Sequence, residues 1–438
     1  MKKLKLVFIT FFLLVSFNIY ANENYFPPIN SQEWDTISPK SLNWNIEKID
    51  ELYNFLESKN SKAFILLKNG KIVLEKYFGN FTADSNWYWA SAGKTLTAAL
   101  IGIAQYDGLL SIEDKTSKYL GEGWTSLPTS KENLIKIKHQ LTMTTGLDYK
   151  VDDLDCTKPE CLQYKADAGT QWYYHNAPYT LLEKVVEKAS NTNYNLYFNQ
   201  KIKNQIGMNG IWIKVGYNNI YFSTARSMAR YGILIANNGY WEDKDVIKDK
   251  EYIMQMLNTS QELNKSYGYL WWLNGKESSM LPGSTLVFNR MLMLEAPRDV
   301  YAALGKDGQC LNISPQNNLI WVRMGEKPDD QFFISTNLCN DIWKYINELT
   351  NITDIEYYDY ENNILYPNPA TDKLYLKLTN NLSIDKIKTY NYYGKLIEII
   401  DIKNINHKDN VLTINLSSYS PGLYIINVGN TNYKFIKN

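Results

Sequence analysis

The stretch Trp89–Ala104 reads W-A-S-A-G-K-T-L-T-A-A-L-I-G-I-A. Beyond Lys94 its residues are apolar and small, the pattern of a helix buried on all sides. Ser91 and Lys94 stand at the mouth of that helix, and the lysine breaks a local rule. In a first turn, the positive end of the helix dipole favours a carboxylate over an ammonium. Residues that contradict a local preference are candidates for function rather than folding. Positions i and i+3 share a helix face, so the Ser91 hydroxyl and the Lys94 amine are expected side by side. A serine hydroxyl is a weak nucleophile until a base takes its proton, and a lysine becomes such a base when burial lowers its pKa. Gly93 leaves room for a substrate beside the serine. The same spacing also arises when a capping serine is followed by a solvated lysine, so the pair alone leaves both readings open. Trp89 stands where a Gly-x-Ser-x-Gly elbow needs glycine, which excludes that turn of the α/β-hydrolases.

The chain around this stretch has 438 residues, too many for one ordinary core. It is 45% hydrophobic and 21% charged, a soluble globular composition. Lys+Arg and Asp+Glu are both 46, so no net field draws in nucleic acid or an anionic membrane. His139, His175 and His407 are scattered, and no His/Cys cluster has metal-ligand spacing; neither a metal nor a cofactor is expected. The N-terminus, M-K-K-L-K followed by the apolar run Leu6–Phe17 and by Ala21, reads as a secretory signal peptide over residues 1–21, cut after Ala21. The run is short for a membrane span, and no stable membrane insertion is expected. Export makes the four cysteines readable as disulfides. Cys156 and Cys161 bracket a short polar loop and are paired locally in this reading, which leaves Cys310 with Cys339; sequence alone permits three pairings.

Apolar residues at 46, 49, 52, 55 and 56 predict an amphipathic helix. Ala63–Leu67 and Ile72–Tyr77 predict strands joined at Asn69-Gly70, a two-residue hairpin turn. Thr224 begins another helix over residues 225–235. Gly283–Val322 reads as strands with turns at Gly305–Gly308 and Pro315–Asn318, and Trp343–Leu349 as a closing helix. Together these give an α+β domain over 42–349, an antiparallel sheet flanked by helices plus a helical lobe. Residues 350–363 read as a polar linker. From 364 to 438 the alternation of Leu374, Leu376 and Leu378, of Leu412, Ile414 and Leu416, and of Tyr424, Ile426 and Val428 predicts a small all-β sandwich.

That tail resembles the C-terminal sorting domain of type IX secretion substrates. The resemblance rests on Tyr366-Pro367-Asn368-Pro369-Ala370, the Tyr393-Gly394-Lys395 turn, Pro421-Gly422-Leu423-Tyr424 and the closing Tyr433–Lys437. It implies that the secretion machinery is a partner, that the chain passes through the periplasm to the cell surface or medium, and that the tail is removed. A carbohydrate-binding or adhesive β-module is the alternative.

Two further segments bear on Ser91. Tyr174-His175-Asn176 precedes the helical run Leu181–Val186, and Gly305-Lys306-Asp307-Gly308-Gln309 precedes the strand-like Cys310–Ile313. A serine, a lysine three on, a Tyr-x-Asn and a glycine-bearing strand, in that order, resemble the serine β-lactamase and penicillin-binding protein superfamily, and within it the class C β-lactamase-like esterases and amidases. His139–Leu147, Ser223–Gly232 and Tyr267–Trp272 add to the likeness, which spans residues 42–349. The resemblance implies a β-lactamase/transpeptidase-like fold and a covalent acyl-enzyme on Ser91. It makes Lys94 and Tyr174 the acid/base groups, either one the first base, and gives Asn176 a substrate carbonyl or Lys94 to hold. Lys306 falls in its third motif, where Gly308 lets the strand approach the substrate, and the N–H groups of Ser91 and Gln309 form the oxyanion hole. Losing one such donor typically costs about 3–4 kcal/mol of transition-state stabilisation.

Penicillin-recognising relatives carry a neutral residue where this chain has Asp307, which would repel a substrate carboxylate. The expected activity is therefore hydrolysis of a neutral ester or amide, D-amino-acid peptides included, in a small molecule or peptide. A β-lactamase, a catalytically silent recognition module and a surface adhesin are the alternatives. His175 is read as structural, and Trp87-Tyr88-Trp89 and Trp271-Trp272 as core or pocket lining.

Overall fold

The computed structural model describes residues 24–329, 335–351, 365–366, 370–377, 386–391, 395–401, 411–428 and 431–437. The expected signal peptide and most of the expected linker lie outside these. The chain divides into two compact units, 1–352 and 353–438.

In the first unit, α1 (Lys48–Ser58) leads into β1 (Ser61–Lys68) and β2 (Lys71–Tyr77). Asn69 and Gly70 between them both have positive φ, 51° and 79°, as the tight hairpin turn requires. Next come β3 (Trp87–Tyr88), α2 (Lys94–Tyr106), α3 (Asn176–Thr180), α4 (Leu182–Ser190), β4 (Ile211–Val215), β5 (Asn218–Ser223) and α5 (Ala225–Ala236). The unit closes with β6 (Trp272–Leu273), β7 (Tyr301–Leu304), β8 (Cys310–Ser314), β9 (Leu319–Gly325) and α6 (Ser335–Thr350). Six strands form one sheet in the order β2-β1-β9-β8-β7-β6, antiparallel throughout. The first of these strands along the chain, β1, is thus paired with the last, β9.

Strand alternation gives the sheet two buried faces. On one, Trp321 lies between Phe64 and Trp343 of α6, with ring centroids 6.3 and 6.0 Å away, and the Trp343 Nε1 donates to Asn312 Oδ1 at 3.0 Å. α1 stacks on α6 through Phe55 and Tyr345, 4.7 Å apart. On the other face α5 packs closely on the sheet, its Gly232 against Leu311 and Ile320. Thr224 caps α5 by accepting from Ser227 N–H, as its sequence predicts.

Two expectations fail. Residues 283–300 are not strands; the side chain of Asn274 donates to the carbonyls of Met293, Ala296 and Pro297, holding this segment as a loop in place of a ladder. Cys156 and Cys161 are bonded, but Cys310 and Cys339 are free thiols whose sulfurs lie 2.9 Å apart. Burial pushes the Cys339 thiol well above its ordinary pKa.

The second unit is a sandwich. β10 (Leu365–Tyr366), β11 (Lys373–Lys377) and β14 (Val411–Asn415) form one sheet; β12 (Lys386–Asn391), β13 (Leu396–Asp401), β15 (Gly422–Val428) and β16 (Thr431–Lys437) form the other. Leu374, Leu376, Leu412 and Ile414 pack against Ile387, Ile426 and Phe435 between them. Pro367–Pro369 and Tyr393-Gly394 of the tail motifs lie outside the described residues.

Trp321 is fully buried where β9 meets α6. Trp321→Ala is expected to lower unfolding stability by about 3–5 kcal/mol in denaturant titration. A loss below ~1 kcal/mol would mean that this face is not packed through that ring.

Candidate active site

The Ser91 turn is anchored before its first residue. β3 pairs with β5, the Trp89 N–H donates to Tyr221 O at 2.8 Å, and the buried Trp89 Nε1 donates to Ser223 Oγ at 2.7 Å. Ala90 then takes φ 47°, a left-handed conformation that a non-glycine residue adopts only when its surroundings impose it. Ala90–Gly93 form one 3₁₀ turn that runs directly into α2, of which Lys94 is the first residue. Neither element has a side-chain cap, so Ser91 is not used as an N-cap. From Lys94 to Ala104 every residue of α2 is buried.

Lys94 is 4% exposed, and its Nζ donates to Ser91 Oγ at 2.9 Å. Tyrosine rings wall the amine, Tyr179 with its centroid 4.4 Å from Nζ and Tyr174 at 5.1 Å. No carboxylate among the described residues lies within ion-pair distance. Burial therefore lowers the Lys94 pKa to about 7, with the charge of Asp155 acting in the opposite direction.

Tyr174 sits on the segment just before α3. Its ring stacks on Trp272 at 5.7 Å and meets Tyr267 edge-on at 6.3 Å. Burial raises its hydroxyl well above the ordinary tyrosine value, and a hydrogen bond with Ser91 pulls the other way. Hydroxyl, amine and phenol are therefore gathered at one point, from segments 80 residues apart in sequence.

The third segment is the expected turn at Gly305–Gly308, followed by the expected strand at Cys310. Lys306–Gly308 form a 3₁₀ turn between β7 and β8, with Asp307 at φ 62° and Gly308 at φ 80°. The residue pressed against the Ser91 turn is Gly305: a Cβ there would lie 2.3 Å from Trp89 O and 3.1 Å from Ala92 N. The Gln309 carbonyl accepts from Gly305 N–H at 2.7 Å, and its side chain bonds Gly325 N and O, at 3.0 and 2.7 Å. Beneath the turn lies the fully buried Arg323. It donates to the carbonyls of Asp307, Gly308, Lys59 and Glu326 and to Ser61 Oγ. Sequence reasoning missed both Arg323 and the side-chain role of Gln309, because neither belongs to a local pattern.

A cleft of about 620 Å³ opens over these groups, lined by Ser91, Tyr174, Trp272, Leu304, Lys306 and Asp307 and by a loop carrying Leu281, Pro282 and Phe288. Lys327 lines it too. Asp307 does not stand alone as a negative charge: Tyr88 OH donates to its Oδ2 at 2.7 Å, and two lysines share its wall. Trp272 lines the cleft, whereas Trp89 and Trp271 are fully buried core residues. Asn176 is not among the lining residues; its Nδ2 donates to Asp155 Oδ1 at 2.8 Å, and its Oδ1 is buried without a partner. His175 is buried with both ring nitrogens unpartnered, its pKa lowered by burial to about 4.

The family model described as beta-lactamase matches residues 59–335, and that of the secretion system C-terminal sorting domain matches residues 364–438. An uncharacterized protein of Alkalihalophilus pseudofirmus is 24% identical over 316 residues, 64% of this chain and 86% of that one. Among solved structures, an inferred beta-lactamase of Bacteroides dorei superposes with a TM-score of 0.55 at 18% identity, covering 70% of this chain and 99% of that one. An inferred 6-aminohexanoate-dimer hydrolase of Bacillus anthracis gives 0.55 at 17%, covering 76% and 91%. At these identities the structural likeness is one of fold. The sorting domain directs the chain to the cell surface or the extracellular space by type IX secretion.

A lysine whose folded pKa is about 7 gives up, between pH 7 and its ordinary value near 10.5, a proton that the unfolded chain keeps. Stability from this residue is therefore lowest below pH 7 and recovers as pH rises to about 10.5. Lys94→Met is expected to stabilise the protein by a few kcal/mol, to order of magnitude, at or below pH 7, with the gain vanishing above about pH 10.5. Denaturant unfolding at pH 6, 8 and 10 measures this; a pH-independent offset would contradict the shifted amine.

Proposed function

Because the chain belongs to the beta-lactamase family, we propose that it is an exported serine hydrolase that cleaves an ester or amide through an acyl-enzyme on Ser91. The observation that carries this reading is the 2.9 Å hydrogen bond between Ser91 Oγ and a buried amine held near neutrality. Lys94 is the better first base. Its free-amine form is abundant near pH 7, whereas the anion of Tyr174 is made inaccessible by burial.

In the first step Nζ takes the hydroxyl proton as Oγ attacks the carbonyl carbon. The developing oxyanion is received by the N–H groups of Ser91 and Gln309. Tyr174 passes its proton to the departing alcohol or amine, and the proton on Lys94 replaces it. A water then enters, gives its proton to the same pair and displaces the acyl group, which restores Ser91 Oγ–H. The mostly apolar lining from Trp272, Leu281, Pro282, Phe288 and Leu304 suits a substrate with an aliphatic or aromatic flank. Asp307, held on the wall by Tyr88, still places an acidic oxygen where a penicillin-type substrate would bring its carboxylate, which disfavours the β-lactamase alternative.

A fluorophosphonate probe is expected to label Ser91, as located by mass spectrometry. Labelling should vanish in Ser91→Ala and slow by about 10²–10⁴-fold in Lys94→Ala. No label on the folded protein would indicate a silent recognition module. On a panel of p-nitrophenyl esters, D-amino-acid amides and nitrocefin, kcat/KM for nitrocefin should fall below the best ester or amide by roughly 100-fold or more, on the order of 3 kcal/mol. Rapid nitrocefin turnover would reverse the assignment.

A further inference from the structure

Lys94 is the only lysine buried among the described residues, and there its amine makes one hydrogen bond, to Ser91 Oγ. Two ring faces meet it besides. The centroid of Tyr179 lies 4.4 Å from Nζ, closer than that of Tyr174 at 5.1 Å. The mechanism above uses Tyr174 through its hydroxyl and leaves Tyr179 unused. Tyr179 is fixed from two directions. Its helix, α3, is held where Gln140 Nε2 donates to Pro178 O at 2.6 Å. Thr97, on the same face of α2 as Lys94, lies 3.5 Å from the Tyr179 hydroxyl and is itself bonded to Tyr194 OH at 2.8 Å. Burial raises the Tyr179 hydroxyl above its ordinary pKa, so the ring beside the amine is that of a neutral phenol.

Resting on the hydrolase reading, we propose that Tyr179 is a positioning residue whose ring face, with that of Tyr174, receives the ammonium that forms on Lys94 as Ser91 is acylated. In that step the Ser91 O–H bond breaks and an N–H bond forms on Nζ. The Oγ electron pair makes the bond to the carbonyl carbon, and the carbonyl π pair moves to its oxygen. A positive charge thus appears on Nζ inside the protein, and the negative faces of two aromatic rings are what it meets. Cation–π attraction is greatest where water is excluded. That condition holds at Lys94; the other lysines lying over rings among the described residues are not buried. A paired carboxylate would hold the amine protonated at rest, whereas ring faces favour the ammonium by less and leave Lys94 a base. The titratable groups of the neighbouring elements do not replace the rings. Tyr267 stands behind Tyr174, and Tyr231 and Tyr252 donate to α2 carbonyls, of Thr95 and Ala98. Glu183 is paired with Lys214 and Asp148 with Lys165. His175 is uncharged near neutrality because burial lowers its pKa. Lys306, Asp307 and Lys327 line the cleft without ion-pair contact to the amine, and Asp155 acts on it by its charge alone.

The test varies the ring face and keeps its shape. Tyr179→Phe retains the face and loses only the long contact with Thr97, so its fluorophosphonate labelling should stay within about twofold of the wild-type rate. Phenylalanines carrying one, two and three ring fluorines, installed in place of Tyr179 in the full-length protein, weaken the negative face step by step. The Lys94 inflection, read by NMR of lysine-labelled protein and assigned with Lys94→Met, should move to lower pH with each fluorine. The whole series should span about one unit, a roughly tenfold change in the equilibrium. The labelling rate on its alkaline plateau should fall in the same order, because an amine whose ammonium is less stabilised is a weaker base. An inflection that stays in place or moves to higher pH across the series overturns the proposal. A moving inflection with an unchanged plateau rate overturns the part assigned to the reaction. A merely structural role would follow side-chain shape, impairing Tyr179→Leu and leaving the fluorinated series level. The titration reads the amine whether or not Ser91 reacts, and failure of the hydrolase reading shows separately, as no label on the folded wild type.

Discussion

The central constraint on this molecule is an amine taken out of water without a counter-ion. Moving an ammonium from solvent into a protein interior costs several kcal/mol unless a charge meets it or the proton leaves. At Lys94 no carboxylate of the described residues comes within pairing distance, and the walls are two tyrosine rings and the start of a helix. The proton therefore becomes easy to remove, and a residue that weakens the fold at neutral pH becomes a base. What keeps it buried is the helix behind it, whose residues are covered through Ala104. The apolar core holds the site together and the site draws on its stability, a trade seen wherever function needs a strained or desolvated group.

Everything else in the first unit can be understood as holding three backbone segments around that amine. Trp89 fastens the serine turn to β5, and Gly305 lets the end of β7 come within contact of the same turn. Stacking on Trp272 places the Tyr174 phenol. None of these contacts is individually strong, but each removes a degree of freedom that a reaction would otherwise have to order.

The sequence made some of this legible for physical reasons. Ser91 and Lys94 are i and i+3 of one turn, so their meeting is a local event, and the Asn69-Gly70 hairpin is local too. Tyr174 could be placed only through its motif partners and their order. Residues whose role depends on partners far along the chain were not legible: Arg323 reaches Lys59, and Asp307 is held by Tyr88, across 264 and 219 positions. Asn176 illustrates the limit. Its presence beside Tyr174 could be read, but its engagement with Asp155 depends on a loop whose path no periodicity predicts. Cys310 and Cys339 were correctly matched as neighbours, yet proximity alone did not determine their oxidation state.

Arg323 has a broader implication. A guanidinium that spends all its donors on main-chain carbonyls and one serine has no side-chain acid to lose, so the turn it supports is insensitive to changes in the residues bordering the cleft. The rim, built from loops such as the one bearing Leu281 and Phe288, is then at liberty to vary from one descendant to another while the floor stays in register. Such a division favours diversification: new specificities can be sampled by drift at the periphery without each trial disturbing the reactive centre.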